Sequence, residues 1–75
     1  MKIFITGVAG FLGSHIADWF LSQGHEVAGC DNLFGGDLTN VNPAVKFYNH
    51  DITQLEGFTE IMQGSDVIFH CAAAA

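Results

Sequence analysis

Apolar residues fall in short runs separated by glycine or by polar punctuation. Residues 2–6 (Lys-Ile-Phe-Ile-Thr) are apolar almost throughout and stop at Gly7. A run of that kind suits a strand buried on both faces, as parallel sheets require. The period then changes. Over 11–23, Leu12, Ile16, Trp19 and Phe20 recur at helical spacing and predict a helix in which Trp19 and Phe20 are core or interface residues, with Gly24 in the cap position after it. Residues 26–31 (Glu-Val-Ala-Gly-Cys-Asp) read as a second strand ending in an acid. Residues 32–44, rich in Gly, Asn and Asp and holding the single Pro, predict a loop with one irregular turn in place of a crossover helix. Val45-Lys46-Phe47-Tyr48 predicts a third strand. Thr53-Gln54-Leu55-Glu56 matches a capping box and predicts a helix whose apolar face is Leu55, Phe58, Ile61 and Met62, ended by Gly64. Residues 66–71 (Asp-Val-Ile-Phe-His-Cys) are a fourth strand leading into four alanines.

Strands alternating with crossovers imply an α/β fold with a parallel, right-handed wound sheet, and the expected strand order is 3-2-1-4. The 75 residues carry no internal repeat or linker and allow one domain, 1–75. A hydrophobic content of 49% excludes disorder. A chain this short buries only about 60% of its unfolded surface, so its stability is marginal.

Charge narrows the partners. Eight acids face only Lys2 and Lys46, giving a net charge of -6. Without a basic stripe, neither nucleic acid nor an anionic membrane is an expected partner. Cys30 and Cys71 sit in apolar strand-like runs and are expected to be reduced thiols, which together with the absence of a signal-like or membrane-length segment points to the cytoplasm.

The segment with the clearest chemistry is Thr6-Gly7-Val8-Ala9-Gly10-Phe11-Leu12-Gly13, between the first strand and the first helix. Gly7 allows a sharp turn off the strand, Gly10 leaves room for a pyrophosphate against the backbone, and Gly13 lets the helix pack closely. The helix N-terminus adds N–H donors and partial positive charge. A tight turn alone accounts for one glycine, not for three in register. No Lys follows the glycines, so a nucleotide-triphosphate P-loop is excluded. Asp31 lies eighteen residues beyond Gly13, close to the ~20 expected of an acid that accepts both hydroxyls of an adenosine ribose. A carboxylate there repels a 2′-phosphate, and the chain has no Arg to neutralise one. NAD is therefore expected over NADP.

These motifs resemble the extended short-chain dehydrogenase/reductase family, in particular its NAD-dependent nucleotide-sugar epimerases and dehydratases. Thr6 to His15 is similar to that family's TGGAGFIGSH opening. Asp31-Asn32-Leu33 is similar to its DNL, His50-Asp51-Ile52 to its GDI with His in place of Gly, and Asp66 to Ala73 to its DxVxHLAA. Four motifs in order span nearly the whole chain. The resemblance implies a truncated Rossmann-like sheet of about four strands with flanking helices. It implies that Gly7, Gly10, Phe11, Leu12 and Gly13 carry the pyrophosphate and that Asp31 and Asn32 hold the ribose. Asp51 and Ile52 would flank the adenine, and Ala72, Ala73 and Ala74 would line the cofactor after the fourth strand.

The family's catalytic Ser/Thr and Tyr-x-x-x-Lys pair belong to later segments. The only Tyr here, Tyr48, has Ile52 and not Lys four residues on. The expected function is thus an NAD-binding module without catalytic residues of its own, and the substrate-binding region is expected to be absent as well. Two alternatives are one piece of an active enzyme completed by further sequence or another chain, and a non-catalytic NAD-responsive protein. His15, His25, His50 and His70 show no paired metal-ligand spacing, so no metal is expected. Val67, Ile68 and Phe69 would leave an apolar strand edge exposed, which predicts a homodimer with a continuous sheet across a two-fold axis.

Overall fold

The computed structural model describes residues 1–54 and 56–72. Strand β1 (Lys2–Thr6) leads into helix α1 (Phe11–Ser22), followed by β2 (Glu26–Asp31), β3 (Lys46–Asn49), helix α2 (Phe58–Met62) and β4 (Val67–His70). The four strands pair in parallel in the order β3-β2-β1-β4, the order expected from the sequence. Strand β1 is central, and Ile3, Phe4, Ile5 and Thr6 are all buried. The sheet is wound outward from β1 on both sides, so the strand order reverses between β1 and β4. Such reversals are where open α/β sheets leave a crevice at the carboxyl ends of their strands.

The core on the α1 side is built from Ile3, Ile5, Val8, Ala17, Val27 and Val45, with Ile16, Phe20, Leu21 and Phe69 packed against it. Phe20 meets Phe69 with ring centroids 5.3 Å apart, which ties the helix to the far strand. The helix ends in a Schellman cap: the His25 N–H donates to the Phe20 carbonyl and the Gly24 N–H to that of Leu21, both at 3.1 Å.

Three expectations are corrected here. The buried stripe of α1 is Gly13, Ser14 and Ala17, while Leu12 (60% exposed) and Trp19 (58%) face outward. The cause is close approach: a Cβ on Gly13 would lie 2.2 Å from the Gly7 carbonyl oxygen. Small residues must therefore take the contact, and the helix is rotated until the bulky ones lie beside or away from it. Second, α2 begins at Phe58 and not at the Thr53 capping box. The Thr53 N–H and hydroxyl both donate to Asp51 Oδ1, at 2.9 and 2.8 Å, so this oxygen serves a local turn instead of a helix start. Leu55, assigned to that helix face, lies outside the described residues. Third, β3 and β4 span 46–49 and 67–70, a residue or so from the predicted bounds. The long connection from β2 to β3 holds only the 3₁₀ turn Leu38–Asn40, as its composition predicts.

Candidate functional site

At the carboxyl ends of β1, β2 and β4 lies a cleft of about 490 Å³. Its floor begins with Gly7, where φ is +73° and the chain turns off β1. The Gly7 and Val8 N–H groups donate to the Cys30 carbonyl at 2.8 and 3.2 Å, which anchors the turn on β2. A Cβ at Gly7 would meet the Ala72 nitrogen at 2.7 Å, so the segment after β4 presses directly on the loop. Gly10 lines the cleft and caps α1 at its N-terminus without a side-chain bond. The Phe11, Leu12 and Gly13 N–H groups open the helix and, as in any first turn, have no intrahelical acceptor.

Asp31 ends β2. Its Oδ2 accepts from the Ala9 N–H at 3.0 Å and its Oδ1 from the Leu33 N–H at 2.8 Å. Each oxygen keeps lone-pair capacity for a further donor. Asn32 is engaged in shaping the next loop: its Oδ1 accepts from the Phe34 N–H at 3.0 Å and its Nδ2 donates to Asp51 Oδ2 at 3.4 Å. Between these two bonds Leu33 is held at φ +64°, a strained position for a branched side chain. Asp51 is kept ionised. The Thr53 N–H, the Thr53 hydroxyl and then Asn32 hold its carboxyl below the usual carboxylate range.

Of the residues singled out from the sequence, the cleft brings together Gly7, Gly10, Asp31, Asn32, Asp51, Ile52 and Ala72. Phe11 and Leu12 stand beside it at the start of α1 with exposed side chains, and Gly13 is buried beneath the loop. Ala73 and Ala74 lie outside the described residues. Sequence reasoning missed one wall, Phe34, Gly35 and Gly36, and the contributions of Cys30, His50, Thr53 and Cys71. The signal for the wall was the glycine pair just past Asp31. Gly36 lies so close to the phosphate-loop backbone that a Cβ would be 2.8 Å from the Ala9 carbonyl carbon. The Asp37 N–H and Asn40 Nδ2 both donate to the Ala9 carbonyl, at 3.0 and 3.1 Å.

The cleft is acidic at its side chains and electropositive at its backbone. Asp31 and Asp51 line it, and no Lys or Arg does. Burial, and then the Asp31 charge, push the Cys30 thiol up to about 11, and burial raises that of Cys71. Both are free cysteines held as neutral thiols, which disfavours nucleophilic chemistry. Among the described residues no group of three His, Cys, Asp or Glu is placed to hold a metal, and no helix is long and apolar enough to cross a membrane.

A glycine loop between β1 and α1, an acid ending β2 and a crevice at the switch in strand order define a Rossmann-type dinucleotide-binding fold. The model of the NAD dependent epimerase/dehydratase family matches residues 3–75, and the chain belongs to that family. A putative UDP-glucose 4-epimerase of Methanocaldococcus jannaschii is 39% identical over 72 residues, covering 95% of this chain and 24% of that protein. UDP-glucuronic acid decarboxylase 1 of Danio rerio is 36% identical over 74 residues, covering 99% of this chain and 18% of the relative. Among solved structures, the UDP-glucose 4-epimerase of Thermus thermophilus in complex with NAD superposes with a TM-score of 0.89 at 39% identity. That match covers 100% of this chain and 25% of the other. The Thermotoga maritima UDP-glucose 4-epimerase with UDP-glucose gives a TM-score of 0.94 at 38% identity, again over 100% of this chain and 25% of that one. The chain thus spans a quarter or less of these relatives' length and corresponds to their N-terminal region.

Proposed function

We propose that this chain is the cofactor-binding part of a nucleotide-sugar epimerase or dehydratase and holds NAD in the cleft between Gly7, Asp31 and Asp51. The observation that carries the reading is the separation of charge within the cleft. The side chains that line the cleft hold two carboxylates and no Lys or Arg, so the positive potential that favours an anion comes from the phosphate loop and the start of α1. The pyrophosphate therefore belongs beside Gly7, Gly10 and the Phe11–Gly13 turn, where helix N–H groups point outward. The ribose hydroxyls, which donate, belong at Asp31, with Asn32 shaping the loop beside it. The adenine lies toward Asp51 and Ile52, where the ionised Asp51 accepts from its amino group. Ala72 continues the wall just after β4. The glycines fit such a group: a Cβ on Gly10, whose nearest neighbour would be the Gly7 oxygen at 3.3 Å, would take up cleft space.

NAD supplies hydride transfer in this family, and these 75 residues supply its binding. No Tyr-x-x-x-Lys pair stands among them, so residues 1–75 form a partial NAD-binding domain, inactive alone. The coverage of relatives by a quarter or less favours, as second reading, one piece of an active enzyme completed by further sequence or another chain. The free, neutral thiols Cys30 and Cys71 suit a reducing compartment, the cytoplasm.

A calorimetric titration of NAD and NADP tests this on the wild-type chain and on Asp31→Ala. Wild type is expected to bind NAD in preference to NADP. The variant should lose roughly 10–100-fold in NAD affinity, as charge-assisted hydrogen bonds are removed, and should lose the preference with it. A folded wild-type chain that binds neither would overturn the proposal.

A further inference from the structure

We propose that His70 is a positioning residue of the cofactor cleft: its Nδ1 accepts a hydrogen bond from the Thr6 hydroxyl and thereby fixes the Ala72 amide against the phosphate loop. The inference rests on the NAD-binding reading of the cleft, which it deepens by naming what holds one wall in place.

Thr6 is 1% exposed, and its hydroxyl has one proton and two lone pairs to place. Its Oγ1 lies 2.8 Å from His70 Nδ1 and 3.3 Å from the Ala72 nitrogen. An amide N–H can only donate, so the oxygen accepts from Ala72. The hydroxyl proton then needs an acceptor, and among the described residues His70 Nδ1 is the one within hydrogen-bond reach. Were Nδ1 to carry a hydrogen, the Thr6 proton would be left without a partner in a buried site, which is strongly disfavoured. The geometry therefore selects the neutral imidazole with its hydrogen on Nε2 and a lone pair on Nδ1.

The consequence reaches the cleft. The Thr6 carbonyl accepts from the Cys71 N–H at 3.0 Å, so two successive amides after β4 are fastened to one β1 residue, one by main chain and one by side chain. Ala72 is the point where that segment meets Gly7: its nitrogen and Cα lie 2.7 and 2.9 Å from where a Gly7 Cβ would stand. Both residues line the cleft. His70, at the exposed end of β4, does not line it and acts only through Thr6. Without the imidazole acceptor the hydroxyl is free to turn, and the Ala72 amide loses a fixed partner.

The test compares wild type with His70→Asn, whose Oδ1 can accept where Nδ1 does, with His70→Phe, which fills space without accepting, and with Thr6→Ser. Nitrogen-15 spectra of the imidazole are expected to show the Nε2–H form of His70 in wild type. The Ala72 amide should exchange with solvent slowly in wild type, His70→Asn and Thr6→Ser, and roughly tenfold faster in His70→Phe, the scale of one lost hydrogen bond. NAD affinity should follow the same order, with a loss of roughly five- to tenfold in His70→Phe and near-complete rescue in His70→Asn. An Nδ1–H imidazole in wild type, or unchanged Ala72 exchange in a folded His70→Phe chain, would overturn the Thr6–His70 link. The expected tautomer and exchange pattern without NAD binding would instead overturn the cofactor role, which separates the two failures.

Discussion

Gly7, Gly10 and Gly13 look equivalent in the motif, but their surroundings differ. The space where a Gly13 side chain would stand is filled by the backbone of Gly7 and Val8, at 2.2 Å from an oxygen and 3.0 Å from a Cα. Neither atom is the end of a flexible side chain, so Gly13→Ala must push the helix off the loop. Overpacking of this kind costs about 1–3 kcal/mol. In a domain of this size, about 1 kcal/mol moves the unfolding midpoint by roughly 4–8 °C. Gly10→Ala has only the 3.3 Å contact to accommodate and should unfold within a few degrees of wild type. Its cost should appear in NAD affinity instead. Thermal unfolding followed by circular dichroism, paired with NAD titration, checks both. Equal destabilisation by the two substitutions would mean that Gly10 also serves packing and not the ligand.

At the scale of elements, α1 shows what periodicity reports and what it leaves open. The pattern of Leu12, Ile16, Trp19 and Phe20 locates the helix correctly, but the face in contact with the sheet is turned so that Gly13, Ser14 and Ala17 are innermost. Hydrophobicity marks which side is apolar. How closely the helix approaches is decided by the smallest residues, and here that approach orients the first turn toward the cleft. Leu12→Ser and Trp19→Ser are therefore expected to shift stability by no more than about 0.5 kcal/mol, as exposed sites do, whereas Ala17→Leu should cost about 1–3 kcal/mol. Urea denaturation curves of the three variants decide this, and a large loss at Trp19 would restore it as a core residue. The turn at Gly7 and the acid at the end of β2 were legible because each is set by local chemistry within a few residues, and the strand order because parallel crossovers follow a general winding rule. The wall formed by Phe34, Gly35 and Gly36 was not, because an irregular loop has no period and its position depends on the remote Ala9 carbonyl. The Thr53 capping box misled for a related reason: Thr-x-x-Glu states which bonds a helix could use, and Asp51, two residues earlier, offered Thr53 a nearer acceptor.

At the scale of the whole molecule, the arrangement that makes the cleft also leaves a surface to be covered. In the order β3-β2-β1-β4, β4 pairs with β1 along one side, so its other side is an edge of this four-stranded sheet. On β4, Ile68 is 50% exposed, and Val67–His70 holds no Lys, acid or proline of the kind that keeps edges apart. We propose that two copies meet along β4, with Val67, Ile68 and Phe69 facing their equivalents across a two-fold axis that runs the two edge strands antiparallel. Sedimentation equilibrium on the chain should then give twice its 8.1 kDa mass. Ile68→Lys places a charge on each copy close to its equivalent and should return a monomer, while NAD affinity stays near wild type because Ile68 does not line the cleft. A monomer in the wild type at high concentration would defeat the edge-pairing argument. A dimer that survives Ile68→Lys would move the interface elsewhere, with the exposed Phe11, Leu12 and Trp19 of α1 the next surface to substitute.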